Sequence, residues 1–418
     1  SGKGHDHQNI YDLFKKAQIS NAPCLLNFKT TIGFGSPNKS AKASSHGSPL
    51  GSDEVNLTRS KLSWSEKPFQ IPDKLLKIWR GSADKNKKLY KKSKSTFHSN
   101  LSKKDIDKLF NKIELDLKNF NSDQATRKSS EAILNYIKED HPILGGSADL
   151  TGSNNTKGKE MSVMNSKNMS GQYIHYGVRE HGMAAIMNGI AATKIYKTYS
   201  GTFLSFADYM KPSLRLAALM KIDPIQVFTH DSIGLGEDGP THQPIEQINM
   251  LRLIPNSYVF RPCDLKETIV CWKEALKIDN APSFICLSRQ NLPQISNKKL
   301  VSKNFKGAYV ISGPKKNNDI TIIATGSEVS LAVNIAEILK NKGIIAKVIS
   351  MPSSSIFEKQ SGSFKITLLD SKLDETFVIE AGSTMYWNKF TNSENIFGLD
   401  IFGASAPGSE VFNKFGLT

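Results

Sequence analysis

Short apolar runs alternate with amphipathic stretches along most of the 418-residue chain, which predicts parallel strands exchanged with helices. The clearest unit opens with the apolar run ITIIA, turns at TGSE, continues through VSLAVNIAEILKNKG, and returns with IIAKVISMP. This reads as strand, tight turn, helix and strand, with the helix starting at Ser327 and Glu328 and closed by Gly343. TFVIEAG and IFGLDIFG add further strands to the same sheet. Upstream, a helix in RKSSEAILNYIKE leads to a strand ending in ILGGSADL, then to the strand YIHYGV and the helical GMAAIMNGIAAT. TKIYKTYSGTFLSF, LRLAALMK, PIQVFTHD and SFICLSR continue the alternation. Near the start, a helix from Ile10 to Lys16, a strand in APCLLNFKTT, a glycine-rich turn and a helix near Asp53 read as the last piece of an α/β domain. The segment from Lys67 to Asn121 is charged and helical, punctuated by Pro68 and Pro72. The expected domains are therefore residues 1–66, a helical connector at 67–121, a parallel α/β domain at 122–302, and a second α/β domain at 303–418.

Composition changes this picture little. With 39% hydrophobic and 22% charged residues, and no apolar run of bilayer length, the chain reads as a cytoplasmic globular protein with no membrane contact. Cys24, Cys263, Cys271 and Cys286 lie far apart without a C-x-x-C pair, so zinc is not expected. The net charge of +16 raises the question of nucleic acid. The lysines crowd between Lys85 and Lys104, where no glycine-rich or regularly spaced aromatic residues could stack bases. A solvated helix is the better reading, and no nucleic-acid partner is expected. The TGSE turn lacks G-x-G-x-x-G spacing, which argues against a dinucleotide site.

Candidate chemistry gathers in the loop THDSIGLGEDGPTHQP, from Thr229 to Pro244. It follows an apolar strand, where open parallel sheets bind ligands, and it holds His230, Asp238 and His242 among glycines. A second candidate is GVREHG, in which Glu180 interrupts an apolar segment; a carboxyl buried there needs a specific partner. Phe203, Phe206 and Tyr209 recur at intervals that suit one face of a helix, a stripe that by itself reads as core. Arg127, the Ser147–Ser153 segment and Arg289 are weak signals singly and together suggest a phosphate pocket.

GGSADLTGSN, YIHYGVREHGM, THDSIGLGEDGPTHQPIEQ, RPCD and LSRQN occur in the order found in transketolases, and the chain resembles that family over essentially its whole length. TTIGFGSPNK, SSHGSPLG, SMPSS and FGASAP extend the match. The resemblance implies a thiamine-diphosphate-binding α/β fold with diphosphate-binding, pyrimidine-binding and C-terminal domains. It also implies a homodimer with cofactor between subunits, and two-carbon ketol transfer from a ketose phosphate such as xylulose 5-phosphate to an aldose phosphate such as ribose 5-phosphate. By motif position, Glu180 would bond the cofactor's pyrimidine nitrogen and favour loss of the thiazolium C2 proton, which creates the carbanion. Phe203, Phe206 and Tyr209 would line the pyrimidine ring, reversing the core reading, and Asp149 and Leu150 would lie near the thiazolium. Arg127, Ser153, His230 and Arg289 would hold the sugar's phosphate, Asp238 its hydroxyls, and His242 and His46 the reacting groups.

Departures accompany the match. The family's G-D-G metal and diphosphate motif is absent, so the ligands of Mg²⁺ or another divalent cation are expected outside this chain. Lys3, Ala43 and Gly152 stand where Asp, His and Pro are usual, and the sequence ends at FGLT. The expectation is a fragment lacking most of the first domain and the last helix, with little activity alone. Dihydroxyacetone synthase, deoxyxylulose-phosphate synthase and the non-catalytic half of a split enzyme are the alternatives.

Overall fold

The computed structural model describes residues 1–97, 102–117, 122–140, 143–296, 304–370 and 372–418. Part of the lysine-rich stretch, and the expected boundaries at 121 and 302–303, lie outside the described residues. Two compact units form, Ser1–Thr96 and Phe97–Thr418.

In the first unit, β1 (Gly2–Lys3) pairs in parallel with β2 (Phe28–Lys29), and α1 (His7–Gln18) connects them. Asp6 caps α1 by accepting from the Asn9 amide at 3.0 Å. The strand expected through APCLLNFKTT shrinks to Phe28–Lys29, because only those two residues find a ladder partner. α2 (Ser52–Lys61) and α3 (Asp73–Phe97) follow. Glu54 of α2 ties down the glycine-rich turn, accepting from the Ser36 hydroxyl and from the Asn38 amide at 2.8 Å.

The second unit begins with α4 (Lys103–Leu117) and α5 (Thr126–Asp140). Its first sheet contains β3 (Ile143–Ser147), β4 (Tyr173–His175), β5 (Lys197–Phe203), β6 (Ile225–Thr229), β7 (Tyr258–Phe260) and β8 (Ser283–Leu287). All six strands are parallel, in the order β4-β3-β5-β6-β8-β7. Both faces are covered, which is why these strands read as apolar runs rather than alternating ones. On one face α4, α5 and α10 (Leu265–Lys277) pack Phe110, Ile133 and Trp272 against Tyr199 and Ile285. On the other, α7 (Glu180–Thr193) and α8 (Ala207–Met220) pack Met183 and Leu214 with Phe228 and Phe284. α6 (Thr151–Asn154) follows β3, and α9 (Gln247–Arg252) precedes β7.

The stretch read as a connector thus supplies a core helix. Ile106, Leu109, Phe110 and Ile113 of α4 are buried at helical spacing, and Asp107 accepts from Lys277 at 2.6 Å and Lys273 at 2.9 Å. Gly145 in β3 is equally constrained: a Cβ there would lie 2.1 Å from the Tyr199 ring. Gly145→Ala is expected to cost roughly 1–3 kcal/mol by overpacking, read as a lower midpoint of thermal unfolding.

A second sheet contains β9 (Tyr309–Ser312), β10 (Ile320–Ala324), β11 (Ala346–Ser350), β12 (Thr376–Ile379) and β13 (Ile396–Phe397), ordered β13-β12-β10-β11-β9. Only β9 runs antiparallel, so the sheet is mixed. α11 (Glu328–Lys340) starts at the position expected, with Ser327 as its N-cap residue, and joins β10 to β11. The IFGLDIFG strand is limited to Ile396–Phe397. α12 (Ser354–Glu358), α13 (Gly362–Leu369) and α14 (Gly408–Lys414) complete the fold. Among the described residues no helix is long and apolar enough to cross a membrane.

Candidate active site

Because every strand of the first sheet is parallel, the segments leaving β3, β4, β5, β6 and β8 emerge at one edge. The β6 loop occupies its middle. His230 sits just past the strand in the left-handed region (φ +61°), with 3% of its surface exposed. Its ring lies 3.8 Å from that of Phe203, and its Nδ1 is 2.9 Å from the Thr229 hydroxyl. Gly236 and Gly239 take positive φ, and successive turn bonds place Asp238 in the open and His242 half-buried. Gln243 staples this loop, donating to Gly236 O and to Ala404 O, both at 2.9 Å.

Arg127 reaches the same edge from the first turn of α5, which is docked there by Thr126 N donating to Ser288 Oγ at 3.0 Å. Its Nη1 donates to Ser153 O at 2.5 Å, while its buried Nε has no partner among the described residues. Burial and the charge of Arg289 push the Arg127 guanidinium down from its ordinary pKa. Burial pushes the His230 imidazole down to about 3, helped by the charges of Arg127, Arg289 and His242, so it is neutral at physiological pH. Two guanidiniums that feel each other's charge form a site an anion would relieve. The structure therefore brings Arg127, Ser153, His230 and Arg289 together.

Glu180 opens α7 and is 8% exposed, yet its side chain makes no hydrogen bond among the described residues. A carboxyl that no protein group holds suits a ligand that carries a hydrogen-bonding nitrogen. Phe203, Phe206 and Tyr209 do cluster, with centroids 5.6 and 5.9 Å apart, but not on one helical face. Phe203 ends β5, Phe206 lies in a 3₁₀ turn (Leu204–Phe206), and only Tyr209 belongs to α8. The break in regular structure turns Phe206 and Tyr209 outward as half-buried and exposed rings, and His242 stands edge-on to Phe206 at 5.3 Å. These rings fit an aromatic heterocycle. Asp149, at φ +60°, and Leu150 follow β3 into α6. His46 belongs to the first unit and is exposed after a short 3₁₀ turn. No group of three or more His, Cys, Asp or Glu among the described residues is placed to hold a metal ion.

Sequence reasoning missed the charged cluster beneath the β6 loop. Arg261, 1% exposed after β7, donates through Nε to Asp231 Oδ2 at 2.9 Å and through Nη1 to Glu328. Gly326, at φ +53°, leaves room for it: a Cβ would lie 2.8 Å from the guanidinium carbon. Glu380 lies 3.9 Å from Arg261 and pairs in fork fashion with Arg252 at 2.6 and 2.7 Å. The TGSE turn, without a nucleotide spacing, is built around an arginine. The hydrogen-bond partners Asp231 and Glu328 lie 30 and 67 positions from Arg261, which no local pattern reveals.

Comparisons with known proteins agree with this architecture. Family models match residues 1–114 as "Transketolase, thiamine diphosphate binding domain", 122–294 as "Transketolase, pyrimidine binding domain", and 307–418 as "Transketolase-like TK C-terminal domain". A transketolase from Buchnera aphidicola subsp. Baizongia pistaciae is 41% identical over 435 residues, covering 99% of this chain and 65% of that protein. The chain thus spans about 65% of that relative's length. A Pichia stipitis transketolase in complex with sedoheptulose 7-phosphate superposes with TM-score 0.85 at 38% identity, over 99% of this chain and 64% of that one. A Campylobacter jejuni transketolase structure gives TM-score 0.85 at 36% identity, over 100% and 65%. Parallel sheet, aromatic cluster and domain matches define a protein of the thiamine-diphosphate-binding class. Within that class, the chain belongs to the transketolase family.

Proposed function

We propose that this chain carries the cofactor-ring and sugar-phosphate parts of a transketolase site, working in the transfer of a two-carbon ketol unit from a ketose phosphate such as xylulose 5-phosphate to an aldose phosphate such as ribose 5-phosphate. The observation that carries this reading is the convergence of Arg127, Arg289 and His230 beside the Phe203–Phe206–Tyr209 rings at one sheet edge. Bound thiamine diphosphate supplies a nucleophilic carbon and an electron sink. Glu180 meets its pyrimidine nitrogen, the three aromatic residues flank that ring, and Asp149 and Leu150 border the thiazolium. A divalent cation, Mg²⁺ in the first instance, completes the cofactor site.

Arg127 and Arg289 bind the terminal phosphate with Ser153 and His230, and that distant anchor orients the reacting carbonyl. Asp238 accepts from a sugar hydroxyl, and His242 and His46 polarise or exchange protons with the carbonyl and hydroxyls. Residues 1–66 belong to the diphosphate-binding domain in this reading, 122–302 to the pyrimidine domain and 303–418 to the C-terminal domain, and of the connector at 67–121 the helix α4 packs with the pyrimidine domain. Exposed Ile186, Leu216 and Leu219 on α7 and α8 favour a homodimer, acting in the cytoplasm.

Titration calorimetry with ribose 5-phosphate tests the phosphate assignment without turnover. Arg289→Ala is expected to weaken binding about ten- to a hundredfold, the worth of a charged hydrogen bond. Equal affinity of the two proteins, or no binding by either, would sink the assignment.

A further inference from the structure

The hydrogen bonds behind His230 run in one direction, and that direction points to where the ring carries its proton. The Ser147 hydroxyl donates to the Gly201 carbonyl at 3.0 Å, which spends its only proton. Its oxygen therefore accepts from Asn154 Nδ2 at 3.3 Å, which turns Asn154 Oδ1 toward Thr229. The Thr229 hydroxyl donates to that oxygen at 2.7 Å and has no second proton for His230. Across the 2.9 Å contact, His230 Nδ1 must then be the donor. Reversing the Asn154 amide would set its oxygen against a serine oxygen that has no proton left to give. Ser147, Asn154 and Thr229 are all fully buried, so water cannot rearrange the chain of bonds.

We propose that this relay locks His230 in the Nδ1–H tautomer, leaving a bare Nε2 that takes up one proton when a phosphate dianion binds; the binding half rests on the sugar-phosphate reading above. A bare Nε2 offers a lone pair to an anion that brings only lone pairs. Binding a dianion therefore draws a proton from solvent onto Nε2, whereas a monoanion shares the one on its own P–OH. No other bond changes. The charged and titratable groups facing the ring are Arg127 from α5, Arg289 after β8 and His242 from the β6 loop. Phe203 covers one face, and neighbouring Asp231 turns its carboxylate to Arg261. The three facing groups disfavour a charged imidazole until the dianion's charge offsets them. Ser147, Asn154 and Thr229 are positioning residues, acting on the ligand only through His230.

Nitrogen-15 NMR of the histidine rings tests this in the unliganded chain, with the His230 signals assigned by their loss in His230→Asn. A protonated Nδ1 and a pyridine-like Nε2 are expected near neutral pH. Thr229→Val should abolish that preference; if it fails to fold, the native chain still decides. Calorimetry of ribose 5-phosphate in two buffers of different ionisation enthalpy should then show proton uptake, with affinity falling about tenfold per pH unit above neutrality. An Nε2–H tautomer in the native chain, or binding without proton uptake, overturns the proposal. Absence of any binding overturns the sugar-phosphate reading instead, while the ring signals still decide the tautomer.

Discussion

Glu380→Ala is expected to destabilise the second unit by about 3–5 kcal/mol, seen as a lower denaturant midpoint in equilibrium unfolding. Glu380 is 1% exposed and gathers four contacts. Arg252 forks onto both oxygens, Thr325 donates at 2.5 Å, and the Trp387 ring nitrogen donates at 3.0 Å. Burial opposes its ionisation, but the charge and hydrogen bonds of Arg252, with Arg261 and Thr325, outweigh that and hold the carboxyl down at about 2. Truncation would leave Arg252, stacked 4.8 Å from the rings of Tyr386 and Trp387, as a buried cation without its fork. Glu380→Gln should cost less, since it keeps the shape and one acceptor. The native contribution is present above the ordinary carboxylate range and disappears as pH falls toward 2. A loss below about 1 kcal/mol for the alanine variant would mean the cluster is not what holds this junction.

The second large effect runs the other way with pH. Glu267 is buried and forms no ion pair among the described residues; Cys263 N donates at 2.8 Å, Tyr309 OH at 2.8 Å and Ser350 Oγ at 2.5 Å. Burial, then the charge of Asp264, pushes its carboxyl up to about 7, and the three donors only partly offset this. The folded state therefore holds a proton that the unfolded chain releases at lower pH. Stability contributed by this proton is complete below about 4.5 and is lost as pH rises to about 7, on the order of 3 kcal/mol in all. Glu267→Gln should remove that slope, so the difference in unfolding free energy between variant and native protein grows across the window. The glutamine fits because Tyr309 and Ser350 can turn to accept, leaving its carbonyl for the Cys263 amide. Parallel pH profiles for the two proteins would refute the assignment.

Much of this molecule is legible in its sequence because the relevant information is local. The turn before α11 is written in Ser327 and Glu328, and the β6 loop in a glycine-spaced polar run after PIQVF. Misreadings arose where one spacing serves two geometries. Phe203, Phe206 and Tyr209 keep helical intervals, yet the chain passes from strand to 3₁₀ turn to helix between them. In α4 the apolar spacing of Ile106, Leu109, Phe110 and Ile113 was present, but the charge along Lys67–Asn121 made the whole stretch read as a connector. Residues that meet only through the fold stay hidden: Arg252 and Glu380 are 128 positions apart, and nothing near either announces the other. The same holds for Asn154 and Thr229, 75 positions apart, on which the state of His230 depends.

Burial of α4 also governs how the chain can be divided. A cut placed after residue 121, at the end of the charged stretch, would strip Phe110 and Ile113 from Trp272 and expose the core residues of α5 and α10 that α4 covers. Asp107 would leave Lys273 and Lys277 without their shared acceptor. A severed or permuted version must therefore break before Lys103, so that this helix is inherited together with the six-stranded sheet.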